Sequence, residues 1–284
     1  MATTKEINVV EEVNKEVIGQ ELLVKELVNI FDIFKTSNCE IRPHFALTGS
    51  SGSGKTHTIS TICRFMKMGF LEINGASLTK EGTSGNSLSK ALTPLLQMEG
   101  KPTVVFVDEF DKLFISGNSN SQLAHETTNG VQNEFLKVLE SETTSVFHDY
   151  GKYAQASTKN CLFIFAGAFN GQENITIDDL RDFGIKTEFL GRVGLCFNTQ
   201  DLTLESLFEI LNRSSLLKTY LKIYKDVERE KVISVIRQHI EANYEMNTLG
   251  ARQINTLVHQ YFIKGGKLED QVQNVVFTKK LTLN

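Results

Sequence analysis

The sequence predicts an α/β domain built on a covered parallel sheet, followed by a smaller, mostly helical domain. Three apolar runs carry the first half of that reading: "HFALTG" at 44–49, "VVFV" at 104–107 and "CLFIF" at 161–165. They are rich in β-branched and aromatic residues and do not alternate with polar ones, the mark of strands buried on both faces. Segments with helical spacing at 56–67, 87–98 and 131–140 lie between them. Strand alternating with helix builds a parallel sheet with helical layers. Polar stretches at 79–87, 115–130 and 141–160 read as loops.

After about residue 198 the pattern changes. Residues 202–224, 227–244 and 250–266 are amphipathic helical stretches, the last ended by Gly265 and Gly266. A short strand-like run, "VQNVVFT", follows at 272–278. The expected organisation is a large domain over 1–198 and a small α-helical domain over 199–284.

The composition is that of an ordinary globular protein, with 40% hydrophobic and 23% charged residues among 284. A net charge of −4 gives no overall basic field to attract nucleic acid. Cys39, Cys63, Cys161 and Cys196 are scattered without metal-ligand spacing and read as buried reduced thiols. The N-terminal residues are charged throughout and lack a signal-peptide core. No apolar run approaches the ~20 residues that span a bilayer. A cytoplasmic protein with no membrane partner is expected.

"GSSGSGKT" fits G-x-x-x-x-G-K-[ST], the Walker A pattern, at every required position: Gly49, Ser50, Ser51, Gly52, Ser53, Gly54, Lys55 and Thr56. It follows one apolar strand and precedes a helix, where the mechanism needs it. The glycines let backbone N–H groups curl inward toward phosphate oxygens at a helix N-terminus. Lys55 would reach the β- and γ-phosphates of ATP, and the Thr56 hydroxyl would hold Mg²⁺.

The run "VVFVDEFDKL" supplies the second half of the site, in the Walker B manner. Asp108 and Glu109 end a buried strand, at the sheet edge where the loop also lies. Asp108 suits the Mg²⁺ shell, and Glu109 can polarise an attacking water, which favours hydrolysis over transfer to a second substrate. Asp111 reads as a helix-start or subunit-contact residue.

Seven stretches in order carry a resemblance: "EVIGQELLVKEL" at 16–27, "TGSSGSGKT", "VVFVDEFDKL", "GVQNEFLKVLE" at 130–140, "LFIFAGAFN" at 162–170, "DFGIKTEFLGRVG" at 182–194 and "TLGARQIN" at 248–255. Together they resemble the AAA+ module of the ClpX/HslU unfoldases, ClpX most of all, from about residue 12 to 278. The resemblance implies a P-loop αβα domain with a helical lid. It implies that Val17 and Ile18 pack on adenine, that Arg192 is an arginine finger for the neighbouring subunit's γ-phosphate, and that Arg252 is the sensor-2 arginine. A surface salt bridge is the alternative for either arginine. A site completed in trans implies a ring, six subunits being usual in the family.

The chain also departs from that family. The pore-1 loop keeps Gly82 and Gly85 but has Thr83 and Ser84 where the family carries an aromatic–aliphatic pair. An aromatic ring grips by burying area, on the order of 2 kcal/mol, and Thr and Ser offer a fraction of that. No N-terminal zinc-binding module is expected, since the cysteines lack ligand spacing and the motifs begin almost at once. Only 13 residues separate Phe169 from Phe183, where ClpX has the long insertion that docks ClpP. Ala166 stands where HslU has a small polar residue, and Asn170 is the nearest polar candidate. The 147–153 loop, with Tyr150, Lys152 and Tyr153, matches the axial entrance; the tyrosines either grip a substrate or pack locally. The second pore loop, 115–130, carries His125, which reads as solvated.

These features predict an ATP-hydrolysing remodelling ATPase acting on a protein client or assembly, with no ClpP-type peptidase partner expected. A slow ATP-dependent switch or scaffold is one alternative. A DNA-associated ring is the other, disfavoured by the acidic balance.

Overall fold

The structure is a computed structural model that describes residues 4–80, 86–114, 122–148 and 151–268. The expected pore-1 residues Gly82 to Gly85, residues 115–121 of the expected second pore loop, Tyr150 and the strand-like run at 272–278 lie outside the described residues. Two compact units divide the chain, Met1–Leu202 and Thr203–Asn284.

In the first unit, helices α1 (Thr4–Asn14) and α2 (Glu21–Thr36) precede strand β1 (Phe45–Thr48) and helix α3 (Lys55–Phe65). Strand β2 (Gly69–Asn74), helix α4 (Leu88–Ala91), strand β3 (Thr103–Asp108) and helix α5 (Gln122–Glu140) follow. Strands β4 (Thr143–Phe147), β5 (Tyr153–Ser157) and β6 (Cys161–Gly167), helices α6 (Ile177–Asp182) and α7 (Thr187–Arg192), and strand β7 (Leu195–Asn198) complete it. The five-stranded sheet has the order β2-β3-β6-β1-β7, parallel throughout.

The period-2 geometry of a strand sends alternate side chains to opposite faces, and here both faces are apolar. Val104, Phe106, Leu162, Ile164, Phe45 and Leu47 join a core with residues of α1, α2 and α3. Val105, Val107, Phe163, Phe165 and Ala46 join a second core with α4 to α7. Uninterrupted apolar runs were therefore required at β1, β3 and β6. Three thiols, Cys39, Cys63 and Cys161, are buried and Cys196 is half-buried, all four free.

Several expectations need correction. The stretch 141–160 is not a loop: β4 and β5 pair antiparallel as a hairpin, with Thr143 opposite Ser157. Its small polar residues hid an alternation in which Val146 and Ala156 point inward. The loop expected at 115–130 ends early, because α5 begins at Gln122. The helix expected over 87–98 is only the one-turn α4, after which Thr93–Gln97 forms a 3-10 turn with Pro94 in its first positions. Proline lacks the N–H that a continued α-helix would need. Strands β2 and β7 were not foreseen. The first carries Glu72 and Asn74, and the second is a partly exposed edge.

The second unit holds α8 (Leu204–Arg213), α9 (Ser215–Ile223), α10 (Arg229–Ala242) and α11 (Arg252–Ile263). The stretch 202–224 is two helices, broken at Ser214, whose side chain accepts the Leu217 N–H. Helix α11 ends before Gly265 and Gly266, which take the left-handed φ values 65° and 90°. Among the described residues no helix is long and apolar enough to cross a membrane.

Candidate functional site: a phosphate loop facing an acidic strand end

The loop 49–56 joins β1 to α3. Gly49 has φ 141° and Gly54, the N-cap of α3, has φ 96°, both costly for any residue with a Cβ. Lys55 Nζ donates to the carbonyls of Gly49 at 2.8 Å and Ser50 at 3.0 Å, so its positive end lies inside the curl. The first backbone N–H groups of α3 have no intrahelical partners, which gives the loop a second source of positive potential.

The acidic strand end meets that loop. Thr56 Oγ1 donates to Asp108 Oδ2 at 3.3 Å, and the other carboxylate oxygen accepts the Glu109 N–H at 2.9 Å. A hydroxyl and a carboxylate at this spacing form a hard-oxygen pair of the kind Mg²⁺ selects. Glu109 is exposed and held at φ 53°, ψ 32°, a left-handed conformation that costs a non-glycine residue about 1 kcal/mol or more. What over-determines it is the next residue. Phe110 is buried at 1%, 4.7 Å from Phe165 and stacked 5.4 Å from Phe189, with Phe135 at 6.0 Å.

Asp111 lies at a helix start, the first of the two readings expected of it. It is 1% exposed, lies in the first turn of a 3-10 segment, and accepts the Phe169 N–H at 3.2 Å. It ties the end of β3 to the turn after β6. Ala166 is fully buried in the apolar core, and Asn170 is exposed in a left-handed conformation.

Beside the loop lies the segment 16–20. Val17 is buried in the core and Ile18 is half-buried. The Arg64 guanidinium pairs with Glu16, and His57 Nε2 lies 3.3 Å from the Glu16 carbonyl. Gln20 donates to the Ser53 carbonyl at 3.3 Å, which ties this segment to the loop.

The two arginines lie in different units. Arg192 ends α7 and pairs with Glu140 at the end of α5. Arg252 is the exposed first residue of α11, in the second unit. On the β4–β5 hairpin, Tyr153 is 55% exposed and its ring packs edge-on against Phe147 at 6.0 Å.

Sequence reasoning missed four residues. Gln20, Thr199 and Asp201 hold the loop from one side; Thr199 and Asp201 lie in no motif, and Gln20 lies in the 16–27 stretch but was not singled out there. Glu72 on β2 lies two residues before Asn74, the register partner of Asp108. Burial, then the Asp108 charge, raises its carboxyl above the ordinary range.

Residues 45–187 match the family model described as "ATPase family associated with various cellular activities (AAA)". The chain belongs to the AAA ATPase family. This AAA ATPase is 27% identical over 309 aligned residues to the "ATP-dependent Clp protease ATP-binding subunit ClpX" of Bacteroides thetaiotaomicron, covering 89% of the chain and 74% of that protein. It is 28% identical over 262 residues to the subunit of the same name from Bacteroides fragilis, covering 76% of the chain and 63% of that protein. The chain thus spans about three-fifths to three-quarters of the length of these relatives. The AAA match covers four of the five sheet strands, β1, β2, β3 and β6, with the phosphate loop and the acidic strand end, so a nucleotide-binding AAA ATPase similar to ClpX is the common ground of sequence and fold.

Proposed function

We propose that the chain hydrolyses ATP to remodel a protein partner or assembly, without feeding it to a ClpP-type peptidase. The observation that carries the reading is the Thr56–Asp108 hydrogen bond with Glu109 locked beside it. Lys55 and the loop amides hold the β- and γ-phosphates, and Val17 and Ile18 border the base. Mg²⁺ at Thr56 and Asp108 supplies neutralising charge to the phosphate oxygens. Glu109 accepts the proton of the attacking water. Its carboxylate is exposed and next to the metal ligand, while its backbone is anchored through Phe110.

Arg192 completes a neighbour's site, so the working form is a ring, six being the family number. Arg252 acts from the second unit as the sensor-2 cation. Compact structure fills the segment after Phe169: a 3-10 turn, then α6, capped reciprocally by Thr176 and Asp179. That supports the lack of a peptidase-docking loop. Weak threading rests on the sequence of Thr83 and Ser84 alone.

The test is steady-state ATPase rate against protein concentration, with and without an unfolded model protein. Wild type is set beside Thr83→Tyr/Ser84→Val and Lys55→Ala. Cooperative turnover in wild type, abolished by Lys55→Ala, with a response to the unfolded chain only in the restored loop, is the expected result. A wild-type response to the unfolded chain would make the protein a threading unfoldase, with Tyr153 the first residue to examine.

A second reading has its own observation. Ala166 is wholly buried among apolar side chains, so that position offers no polar group to order water. A slow switch or scaffold that assembles on ATP would follow, and fast client-stimulated hydrolysis would sink it.

A further inference from the structure

Three consecutive residues after β7 strap the phosphate loop from one side. The Thr199 N–H donates to the Thr48 carbonyl at 2.8 Å, and its hydroxyl donates to Ser53 Oγ at 2.8 Å. The Gln200 N–H donates to Gln20 Oε1 at 2.9 Å, and Gln20 Nε2 returns a bond to the Gln200 carbonyl at 2.7 Å. Gln20 is 1% exposed, so this clamp is shielded from water. Thr199 passes so close that a Cβ on Gly49 would lie 1.8 Å from its Oγ1.

The third residue differs. Asp201 is exposed, and its Oδ1 accepts the Ser50 hydroxyl at 2.7 Å. The strap is already fixed by Thr199 and Gln200, and an exposed hydroxyl–carboxylate bond exchanges with water at little cost. The fold therefore does not need this carboxylate. It is nevertheless held, by a rigid backbone, on the rim of a loop whose amides and lysine converge on anions.

We propose that Asp201 sets the affinity of the loop for nucleotide phosphates. It occupies the Ser50 hydroxyl and places a negative charge beside the cradle, so a bound polyphosphate is held more loosely and leaves sooner. The proposal rests on the reading of 49–56 as a nucleotide site. The carboxylate faces solvent, so the effect is that of one screened interaction, a roughly threefold to fivefold change in Kd. Repulsion at a solvated rim fades as the Debye length shrinks from ~10 Å at 0.1 M salt to ~3 Å at 1 M.

The experiment is titration of a fluorescent ribose-labelled ADP at low and high salt, into wild type, Asp201→Asn, Ser50→Ala and Lys55→Ala, with the dissociation rate measured by chase. Asp201→Asn keeps an oxygen acceptor for Ser50 and removes only the charge. Tightening of about threefold to fivefold at low salt, a matching slower release, and a difference that closes at high salt are expected. The ligand-free melting temperature should be unchanged. Equal or weaker binding by Asp201→Asn, or tightening that ignores salt, overturns the proposal. Ser50→Ala retains the charge, so tightening in that variant like that of Asp201→Asn would also overturn it. Wild-type affinity in Lys55→Ala would instead remove the nucleotide-site reading itself. Lost binding in Lys55→Ala with no change in Asp201→Asn would fail the proposal alone.

Discussion

Arg192 and Glu140 form a one-oxygen clasp: Nε and Nη2 of the arginine both donate to Oε1 of the glutamate, at 3.2 and 2.8 Å. The side chains are 55% and 48% exposed. Pairs this open contribute about 0–1 kcal/mol to stability. Arg192→Ala should therefore cost less than about 1 kcal/mol in unfolding free energy. If the arginine serves the neighbouring site, turnover should fall ~10³-fold or more with nucleotide binding preserved. Denaturant melts beside ATPase assays read both numbers, and normal turnover in this variant would refute the shared site.

Glu109 gives a separable test of chemistry. Glu109→Gln keeps side-chain volume and the left-handed backbone but cannot take a proton. Nucleotide binding should be retained while turnover falls by ~10²-fold or more. Equilibrium binding of labelled ATP beside single-turnover hydrolysis checks the split. Hydrolysis at the wild-type rate would move the general-base role elsewhere, with Glu72 on β2, whose carboxyl feels the Asp108 charge, the next residue to test.

Gly49→Ala tests the close approach of strap and loop. Its φ of 141° disfavours any L side chain, and the new methyl would overlap Thr199 Oγ1. A loss of about 2 kcal/mol or more in stability is expected. Nucleotide affinity should fall with it. Thr199→Ala removes the overlapping oxygen but not the φ strain, so the double variant should recover only part of the loss. Additive losses in a double-mutant cycle would show that the two residues do not press on each other.

His44 makes stability depend on pH. Its ring is 7% exposed, and Nδ1 accepts the Phe163 N–H at 3.1 Å, which requires the neutral form. Burial, then the Arg42 charge, lowers its pKa to about 4 from 6.5. The unfolded chain takes up the proton near pH 6.5 and the folded one near 4. The stabilisation is thus complete above pH 6.5 and lost as pH falls toward 4. It amounts to about 3 kcal/mol. Urea midpoints from pH 7.5 to 4.5 should fall for wild type and much less for His44→Gln. Parallel curves would assign the slope to other groups.

The legible parts of the protein were those where one physical demand fixed several neighbouring residues. A strand buried on both faces must be apolar throughout, and β1, β3 and β6 were read from that alone. A phosphate loop needs glycines, a lysine and a hydroxyl at set offsets, so Gly49 to Thr56 stood out. The hairpin β4–β5 was missed because a small, half-exposed ribbon tolerates Thr, Ser, Gln and Ala. Helix 87–98 was overextended because its apolar spacing continued past Pro94 while its backbone could not. Gln20, Thr199 and Asp201 were invisible for a different reason. Each acts across a long sequence separation, 180 residues for the bond between Gln20 and Gln200, and a single polar residue carries no local sign of such a partner.

The buried sulfhydryls have a practical consequence. Burial, the leading cause in each case, pushes Cys63 and Cys161 up to about 12 and Cys196 to about 11, and raises Cys39 as well. A thiol reacts as its thiolate, so at neutral pH the native protein presents almost no nucleophilic sulfur to a maleimide dye. One new cysteine at an exposed position, such as Tyr153 on the hairpin or Ile263 on the last helix, would take a fluorophore or spin label against a silent background. A pair of such labels could then follow distances in the protein as nucleotide is added, without first stripping out the native cysteines.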